Sequence, residues 1–189
     1  MGLDNQQLSC RELLEADWER LGFLSDAEKT PLRFRNYFGP RFFCVVLLRK
    51  AQCAYTAGWS RLAKFLGLVN FLIFGIEAPL GIEIGPGLVL PHPQGVILGA
   101  SKIGDNVTIY QQVTLGAKTM DVGFDPSKRP QIGSDVVLAA GAKVIGGVVV
   151  GDSSTVGANA VVVKEVPENS VAVGVPAVIS SKDKVLTYE

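Results

Sequence analysis

The stretch IGSDVVLAAGAKVIGGVVVGDSSTVGANAVV, residues 132–162, decides the fold because an aliphatic residue recurs at every sixth position. Small residues often follow the aliphatic one. The pattern predicts a parallel β-helix, in which each hexapeptide forms one short strand and a turn, and three hexapeptides complete a coil. Stacked coils are about 4.8 Å apart, so that like aliphatic side chains form ladders inside. The repeating positions are Ile132, Leu138, Val144, Val150, Val156 and Val162.

The same period extends towards the N-terminus in two shorter runs. Ile84, Leu90 and Val96 form the first run, and a second follows after a slip of one residue. The second run is Ile103, Ile109 and Leu115. The twelve hexapeptides predict about four coils. Between Leu115 and Ile132 there are 17 positions where the repeat needs six, so the surplus must leave the coil as a loop over residues 117–131. A long loop in a regular solenoid is usually functional.

The residues before the repeats have sequence patterns that are typical of helices. Ser9 and Glu12 have the spacing of a capping box before an amphipathic run that ends at Gly22. A second helix is predicted from Pro40 to Gly58, and SRLAKFLGLVNFLIF, residues 60–74, is a third. We therefore expect a mainly β chain with a helical region at 1–80, the β-helix at 81–178 and a tail at 179–189.

Composition excludes several classes of function. The 189 residues carry 18 basic and 18 acidic side chains, which argues against a protein that binds nucleic acid through bulk charge. The single His excludes a metal site built from several histidines, including that of β-helical carbonic anhydrases, and no metal is expected. The three Cys have no clustered spacing, and the polar residues Met1 to Gln7 do not resemble a signal peptide. A reducing, cytoplasmic location is expected.

Although the net charge of the chain is zero, one segment is strongly cationic. Residues 29–76 contain eight bases and no acid. These bases are interleaved with aromatic residues, as in helices that lie on anionic membranes. Two interpretations stay open. The segment either forms a helical cap that packs on the first coil, or it also touches the inner face of a membrane. The most apolar run, residues 65–76, is too short to span a bilayer.

Three segments together resemble the hexapeptide-repeat acyltransferases. They are GIEIGPGLVLPHPQGVILGASKIGDNVTIYQQVTLG, IGSDVVLAAGAKVIGGVVVG and VAVGVPA. Within that family the chain is most similar to the serine acetyltransferase branch and to its relatives that acetylate sugars, over roughly residues 40–178. The resemblance implies a left-handed coil, a homotrimer that could pair into a dimer of trimers, and acetyl-CoA as co-substrate in the cleft between neighbouring helices.

His92, in the turn PHPQG, falls on the catalytic His of that family. An alcohol is a poor nucleophile, and an imidazole can take its proton during attack and return it to the leaving thiolate. The resemblance places Glu77, fifteen residues earlier, on the acidic partner of this His, and Glu83 is a second candidate. The structural alternatives are a solvated His and solvated acids.

The chain departs from the serine-specific pattern at two places. In that branch an acid precedes the catalytic His and the loop carries Arg-His-Pro, whereas this chain has Pro91 and Lys128-Arg129-Pro130. The ammonium of an amino acid needs an anion, so the loss of the acid favours another acceptor. Arg129 and Lys128 are predicted to bind an anionic group of the acceptor, or else are solvated loop charges.

The resemblance also suggests residues that contact CoA. Gly116, where the loop leaves the coil, is a candidate oxyanion donor. The other candidates are Ala139, Ala140, Gly141, Lys143, Lys118 and Lys164. Glycines and alanines would also be needed for coil geometry in any β-helix.

These observations predict an acetyl-CoA-dependent O-acetyltransferase that acts on a hydroxyl of a sugar or nucleotide-sugar in surface polysaccharide biosynthesis. The first alternative is serine O-acetyltransferase, in cysteine biosynthesis. The second is a β-helical scaffold without catalysis, because intact hexapeptides report fold alone.

Overall fold

The structure is a computed structural model that describes residues 8–25, 30–121 and 123–185. Residues 1–7, for which no signal peptide is predicted, and the tail residues 186–189 lie outside this description. The described chain forms three helices, then a stack of short strands, and then a hairpin and a last helical turn. Thus the order predicted from the sequence, helices before β-helix, is the order observed.

The three helices begin at or near their predicted starts, but α1 continues two residues beyond Gly22, where it was predicted to end. α1 spans Cys10–Leu24 and begins at the N-cap Ser9, whose hydroxyl accepts a hydrogen bond from the Glu12 amide in the predicted capping box. α2 spans Phe43–Thr56, three residues later than predicted, because residues 40–42 form a turn. α3 spans Ser60–Phe74, as predicted, and ends at Gly75 in the left-handed region with φ 66°. A 3-10 turn, Phe34–Phe38, precedes α2.

The strands form three sheets that enclose one core. The strands are β1 (Glu83–Ile84), β2 (Ile97–Leu98), β3 (Lys102–Ile103), β4 (Thr108–Ile109), β5 (Thr114–Gly116), β6 (Gln131–Ile132), β7 (Val137–Leu138), β8 (Lys143–Ile145), β9 (Val149–Val150), β10 (Thr155–Val156), β11 (Val161–Val162), β12 (Ser170–Val173) and β13 (Val178–Ser181). The first sheet has the order β1-β3-β6-β9, the second β13-β12-β10-β7-β4 and the third β11-β8-β5-β2. All neighbours are parallel except β12 and β13.

The aliphatic ladders agree with the six-residue period. In the first sheet Ile84 lies opposite Ile103, which lies opposite Ile132, which lies opposite Val150. Ile109, Leu138 and Val156 form the second ladder, and Leu98, Leu115, Val144 and Val162 form the third. Nearly all of these side chains are fully buried. The three-sided parallel stack is therefore the predicted architecture.

The register of the first coil differs from the prediction. Leu98, rather than Val96, lies opposite Leu115, so the third side of this coil is displaced by two residues. The cause is the turn that carries His92. Leu90 and Leu98 are eight positions apart, whereas the matching Ile109 and Leu115 are six apart. Val96 is still buried, but it precedes the ladder residue Leu98 by two positions. Val113 has the same relation to Leu115 in the next coil.

Corners of the stack use residues that tolerate positive φ. The third residue after the inward aliphatic residue has φ between 53° and 57° at one corner of successive coils, where Asx residues are frequent because they accept this conformation at lower cost than most side chains. The residues are Asn106, Asp135, Ser153 and Asn169. This second repeat was not part of the sequence interpretation, although it has the same period.

The C-terminal boundary also lies later than predicted. The tail was expected from residue 179, but residues 179–181 belong to β13, which pairs with β12. The helical turn α4, Lys182–Val185, follows. The hairpin β12–β13 therefore closes the end of the second sheet.

The helices are fixed to the first coil by a buried ion pair. Asp17 of α1 and Arg49 of α2 are fully buried, and Arg49 also donates to the carbonyls of Ile84 at 2.7 Å and Gly85 at 2.6 Å. The Leu88 amide donates to Asp17 Oδ1 at 2.7 Å. Burial raises the pKa of Asp17, and the hydrogen bonds and charge of Arg49 oppose that rise. Arg49 is thus a link between cap and coil and cannot face a membrane.

Candidate active site

His92 lies on the widened corner of the first coil. Its side chain is exposed, and the ring centroid is 6.3 Å from that of Tyr110 in the next coil. Two backbone hydrogen bonds hold the turn: the Gly95 amide donates to the Phe74 carbonyl at 3.0 Å, and the Gln112 amide donates to the Gln94 carbonyl at 2.9 Å. The turn is therefore fixed between the end of α3 and the second coil, with the imidazole open to solvent.

Glu77 lies on a backbone segment that contacts the strand after this turn. Its amide donates to the Val96 carbonyl at 3.0 Å, and its carbonyl accepts from the Leu98 amide at 2.8 Å. These bonds form a parallel bridge with Ile97 that extends the third sheet by one rung. The carboxylate is exposed. The two ends of the predicted pair, His92 and Glu77, thus both lie where the third sheet begins.

Glu83 is placed elsewhere. It belongs to β1 in the first sheet, exposed and in register with Lys102. The Glu77 bridge belongs to the third sheet. The structure therefore separates the two candidate acids and brings only Glu77 to the sheet that the His92 turn enters.

The corner that carries His92 recurs in each coil, and in the third coil it contains three of the residues predicted to contact CoA. Ala139, Ala140 and Gly141 occupy this corner in the third coil, where the Gly141 amide donates to the Gln111 carbonyl at 2.9 Å. Lys143 is held at the same corner, since its Nζ donates to the carbonyls of Gln112 at 2.7 Å and Gly141 at 2.8 Å. Its ammonium therefore stabilises the corner, although it was predicted to contact CoA.

The remaining predicted CoA residues lie along the opposite edge of the third sheet. Gly116 ends β5 and has open space where a side chain would project. Lys118 begins the extruded loop and Lys164 follows β11, both exposed. The outer face of the third sheet is thus bordered by His92 and the alanines on one edge and by Gly116 and the two lysines on the other.

Arg129 is the anchor of the extruded loop. Its Nε donates to Asp121 Oδ2 at 3.0 Å, its Nη2 to the Asp121 carbonyl at 3.1 Å and its Nη1 to the Gly99 carbonyl at 3.2 Å. The guanidinium carbon lies 4.1 Å from the Phe124 ring centroid, a cation–π distance. These contacts give each guanidinium nitrogen a partner within the chain, which weakens the prediction that Arg129 binds the acceptor.

Lys128 has a weaker attachment to the same loop. Its Nζ is 3.4 Å from Asp125 Oδ2, and both side chains are about half exposed. The Asp125 carboxylate accepts hydrogen bonds from the amide and the hydroxyl of Ser127, which lower its pKa. Lys128 therefore keeps a cation at the surface of the loop, where an anionic ligand can reach it.

Sequence reasoning missed the partners that shape this site. Tyr110 beside His92, and Asp121 and Phe124 around Arg129, were not singled out. For Tyr110 a signal existed, because Tyr110 is one residue after the ladder residue Ile109, at the corner that His92 occupies one coil earlier. For Asp121 and Phe124 the irregular loop offers no period from which a contact can be read.

Two of the thiols, those of Cys44 and Cys53, are not suited to act as nucleophiles. Burial raises the pKa of the Cys44 thiol to about 12, so that it stays protonated near neutral pH. Burial and the neighbouring Cys10 raise the pKa of Cys53 to about 12 as well. Among the described residues there is no cluster of three His, Cys, Asp or Glu side chains suited to a metal ion. The exposed imidazole of His92 remains the predicted general base.

Comparisons with known proteins agree with this architecture. Residues 129–164 match the family model of the bacterial transferase hexapeptide, which comprises six repeats. The chain is 39% identical over 146 residues to a serine acetyltransferase of Helicobacter pylori strain J99, covering 77% of this chain and 84% of that one. It is 42% identical over 123 residues to that of Staphylococcus xylosus, covering 65% of this chain but 56% of that one.

Solved structures give the same result. The Neisseria gonorrhoeae serine acetyltransferase superposes with a TM-score of 0.76 and 27% identity, over 91% of this chain and 66% of that one. A serine acetyltransferase in complex with CoA superposes with a TM-score of 0.75 and 26% identity, over 91% and 70%. This chain spans about two thirds of these solved proteins. With the hexapeptide ladders, the His92 corner and the H. pylori relative together, the chain belongs to the serine acetyltransferase family of hexapeptide-repeat transferases and is an acyltransferase that uses acetyl-CoA.

Proposed function

We propose that the protein is a serine O-acetyltransferase, which transfers the acetyl group of acetyl-CoA to the hydroxyl of L-serine. The observation that carries this proposal is the 39% identity to a serine acetyltransferase over 84% of that relative's length. It favours serine, the alternative in the sequence analysis, over the sugar acceptor expected first. We also propose that the β-helix of this chain is left-handed, as the resemblance to the family implies.

In the proposed mechanism His92 acts as general base. Its imidazole removes the proton from the serine hydroxyl while the oxygen attacks the thioester carbon. The tetrahedral intermediate then collapses, the carbon–sulfur bond breaks, and the imidazolium returns the proton to the CoA thiolate. Transfer is direct, which agrees with the neutral Cys44 thiol and requires no acyl-enzyme.

Two further residues support these steps. Glu77, at the start of the third sheet, orients the imidazole and stabilises its cation, as a carboxylate does in hydrolase triads. The open space at Gly116 allows a thioester to approach the backbone there, where an amide can stabilise the oxyanion. CoA then follows the third sheet between the Ala139–Gly141 corner and the exposed Lys118 and Lys164.

A sugar hydroxyl is the second candidate acceptor, because two features of this chain lack the complementarity that an amino acid requires. Pro91 stands immediately before His92 and offers no anion for an ammonium group. Each guanidinium nitrogen of Arg129 already donates one hydrogen bond to Asp121 or Gly99. Lys128 remains an exposed cation of the loop.

The experiment that tests the proposal is release of free thiol from acetyl-CoA with L-serine, compared with a panel of sugars and nucleotide-sugars. Turnover with L-serine that is lost in His92→Ala supports the proposal. Turnover with a sugar alone overturns the serine assignment but keeps the enzyme class. If no acceptor supports turnover and acetyl-CoA does not bind, the scaffold alternative of the sequence analysis holds.

We also propose that the protein is a homotrimer, as the resemblance implies. Light scattering after gel filtration should then give three times the 20.1 kDa mass of the chain, or six times for a dimer of trimers.

A further inference from the structure

The outer face of α3 is apolar, although none of the residues that the structure describes covers it. Six large apolar side chains of this one helix are between 40% and 71% exposed. They are Leu62, Phe65, Leu68, Phe71, Leu72 and Ile73. Trp59, at the N-cap, is also largely exposed. Isolated exposed apolar residues are common, but a contiguous group on one helix usually marks an interaction surface.

This face is opposite the one that holds α3 on the protein. The buried residues of the helix are Ala63, Asn70 and Phe74, which lie seven and four positions apart and so share one side. Phe65, Leu68 and Leu72, spaced by three and four, form the side that points away. The helix therefore buries one stripe in the cap and presents a second apolar stripe to the exterior, where a surface helix normally has polar residues.

The charges near this stripe are mostly positive, and the exception is the exposed Glu77, which lines a cavity with Lys64 and Leu68. Arg61 and Lys64 are exposed on α3 itself, and Arg33, Arg35, Arg41 and Lys50 are exposed on the preceding segments. Arg49 does not contribute, because it is buried against Asp17. No Asp or Glu occurs between residues 30 and 76. The surface that surrounds the apolar stripe thus attracts anions.

We propose that α3 lies on an anionic lipid bilayer, with Phe65, Leu68 and Leu72 in the acyl boundary and Arg61 and Lys64 at the headgroups. Apolar side chains beside cations are the composition of interfacial helices, and Trp is favoured at the level of the headgroups. Within the described residues no helix is long and apolar enough to cross a bilayer, so α3 contacts the membrane from one side.

Charge disfavours a two-fold contact between the α3 helices of two copies of the chain. Two copies that met α3 to α3 would bring Arg61 and Lys64 of each against those of the other, with no acid of this segment to pair them. An anionic headgroup layer supplies the missing countercharge. The proposal does not depend on the acceptor.

The test is co-sedimentation of the full chain with phosphatidylcholine vesicles, with and without phosphatidylglycerol. We expect binding to the anionic vesicles, weakened by high salt, and a blue shift of Trp fluorescence that Trp59→Phe abolishes. Arg61→Gln with Lys64→Gln should lower the partition coefficient about 30-fold, since each cation near an anionic surface contributes about fivefold. Leu68→Ser with Leu72→Ser should abolish binding.

A matched control uses a residue of equal exposure on another surface. Phe23, on α1, is 72% exposed and Leu72 is 71% exposed. Phe23→Ser should leave vesicle binding unchanged, and thermal melting verifies that each variant is folded. The proposal is overturned if the native protein ignores anionic vesicles, or if Leu68→Ser with Leu72→Ser binds them as the native protein does. It is also overturned if that variant changes the oligomer mass in the absence of lipid, because α3 is then a subunit interface.

Discussion

Arg49 and Asp17 face each other through two parallel hydrogen bonds, from Nε to Oδ2 at 2.8 Å and from Nη2 to Oδ1 at 3.0 Å, although they are 32 residues apart. Both side chains are excluded from solvent. Three further hydrogen bonds, from Arg49 to the carbonyls of Ile84 and Gly85 and from the Leu88 amide to Asp17, join this pair of α1 and α2 to the first coil. Removal of either partner leaves a buried charge without compensation.

We therefore expect Asp17→Asn to lower the free energy of unfolding by about 3–5 kcal/mol, as found when buried ion pairs are broken. Chemical denaturation of both proteins measures this. The double variant Asp17→Leu with Arg49→Met should recover part of the loss, because no isolated charge remains. A double variant as unstable as the sum of the single ones would contradict this explanation. Arg11→Ala, which breaks the exposed pair with Glu15, is the control and should change stability little.

His92→Ala should reduce kcat about 10²–10⁴-fold, the usual contribution of a general base. Acetyl-CoA binding, measured by calorimetry, should persist, because the imidazole is exposed and its removal leaves no cavity in the core. Gln94→Ala is a matched control in the same turn, since only the backbone carbonyl of Gln94 is bonded to Gln112. An equal loss in both variants would show that the turn, and not the imidazole, was damaged.

Glu77→Gln should lower kcat with little effect on the KM for acetyl-CoA, because an amide cannot stabilise the imidazolium that forms during attack. Glu77→Asp should restore part of the rate. The rival assignment is tested by Glu83→Gln, on the first sheet. Should that variant lose more activity than Glu77→Gln, the acidic partner has been misassigned.

Arg129→Ala should expose the extruded loop to proteases, because three hydrogen bonds and the Phe124 contact are lost together. Limited proteolysis followed by mass spectrometry locates the cuts. Asp121→Ala removes the partner and should have the same effect on cleavage and on kinetics. If Arg129→Ala alone raises the KM for the acceptor, the guanidinium binds the acceptor as first predicted.

The buried Cys44 thiol should make the free energy of unfolding depend on pH. Because burial raises its pKa to about 12, the folded state holds the thiol proton to higher pH than the unfolded state does. Its contribution to stability is complete below the ordinary thiol pKa and is lost as pH rises through the folded value. We expect the free energy of unfolding to fall more steeply from pH 9 upward in the native protein than in Cys44→Ala. Parallel slopes would contradict the assignment.

The sequence predicts the parts of the fold that arise from a repeated physical constraint. It does not predict the parts that depend on a single irregular turn. The ladders from Ile84 to Val162 follow from a period of six, and α3 follows from Ser60 and Gly75 at its ends. The two-residue displacement at Leu98 could not be read, because Val96 also fits the period and is also buried.

Contacts between segments that are distant in the sequence could likewise not be predicted from it. Nothing near Arg49 in the sequence indicates Asp17, and so Arg49 was counted among the bases of a cationic surface. For Arg129 the family pattern suggested an acceptor contact, whereas the irregular loop around it supplies Asp121 and Phe124 as partners. His92 and Glu77 were placed by resemblance, and the structure adds only that both lie where the third sheet begins.

The widened corner at residues 91–95 has a consequence for how such enzymes diversify. The two extra residues are absorbed within one turn, and by Ile103 the first sheet is again in register with the coils that follow. A corner can therefore gain, lose or exchange residues while every ladder beneath it keeps its partners. Substitutions and insertions at such a corner, or in the loop at 117–131, can therefore change the surface of the solenoid while the buried ladders stay the same.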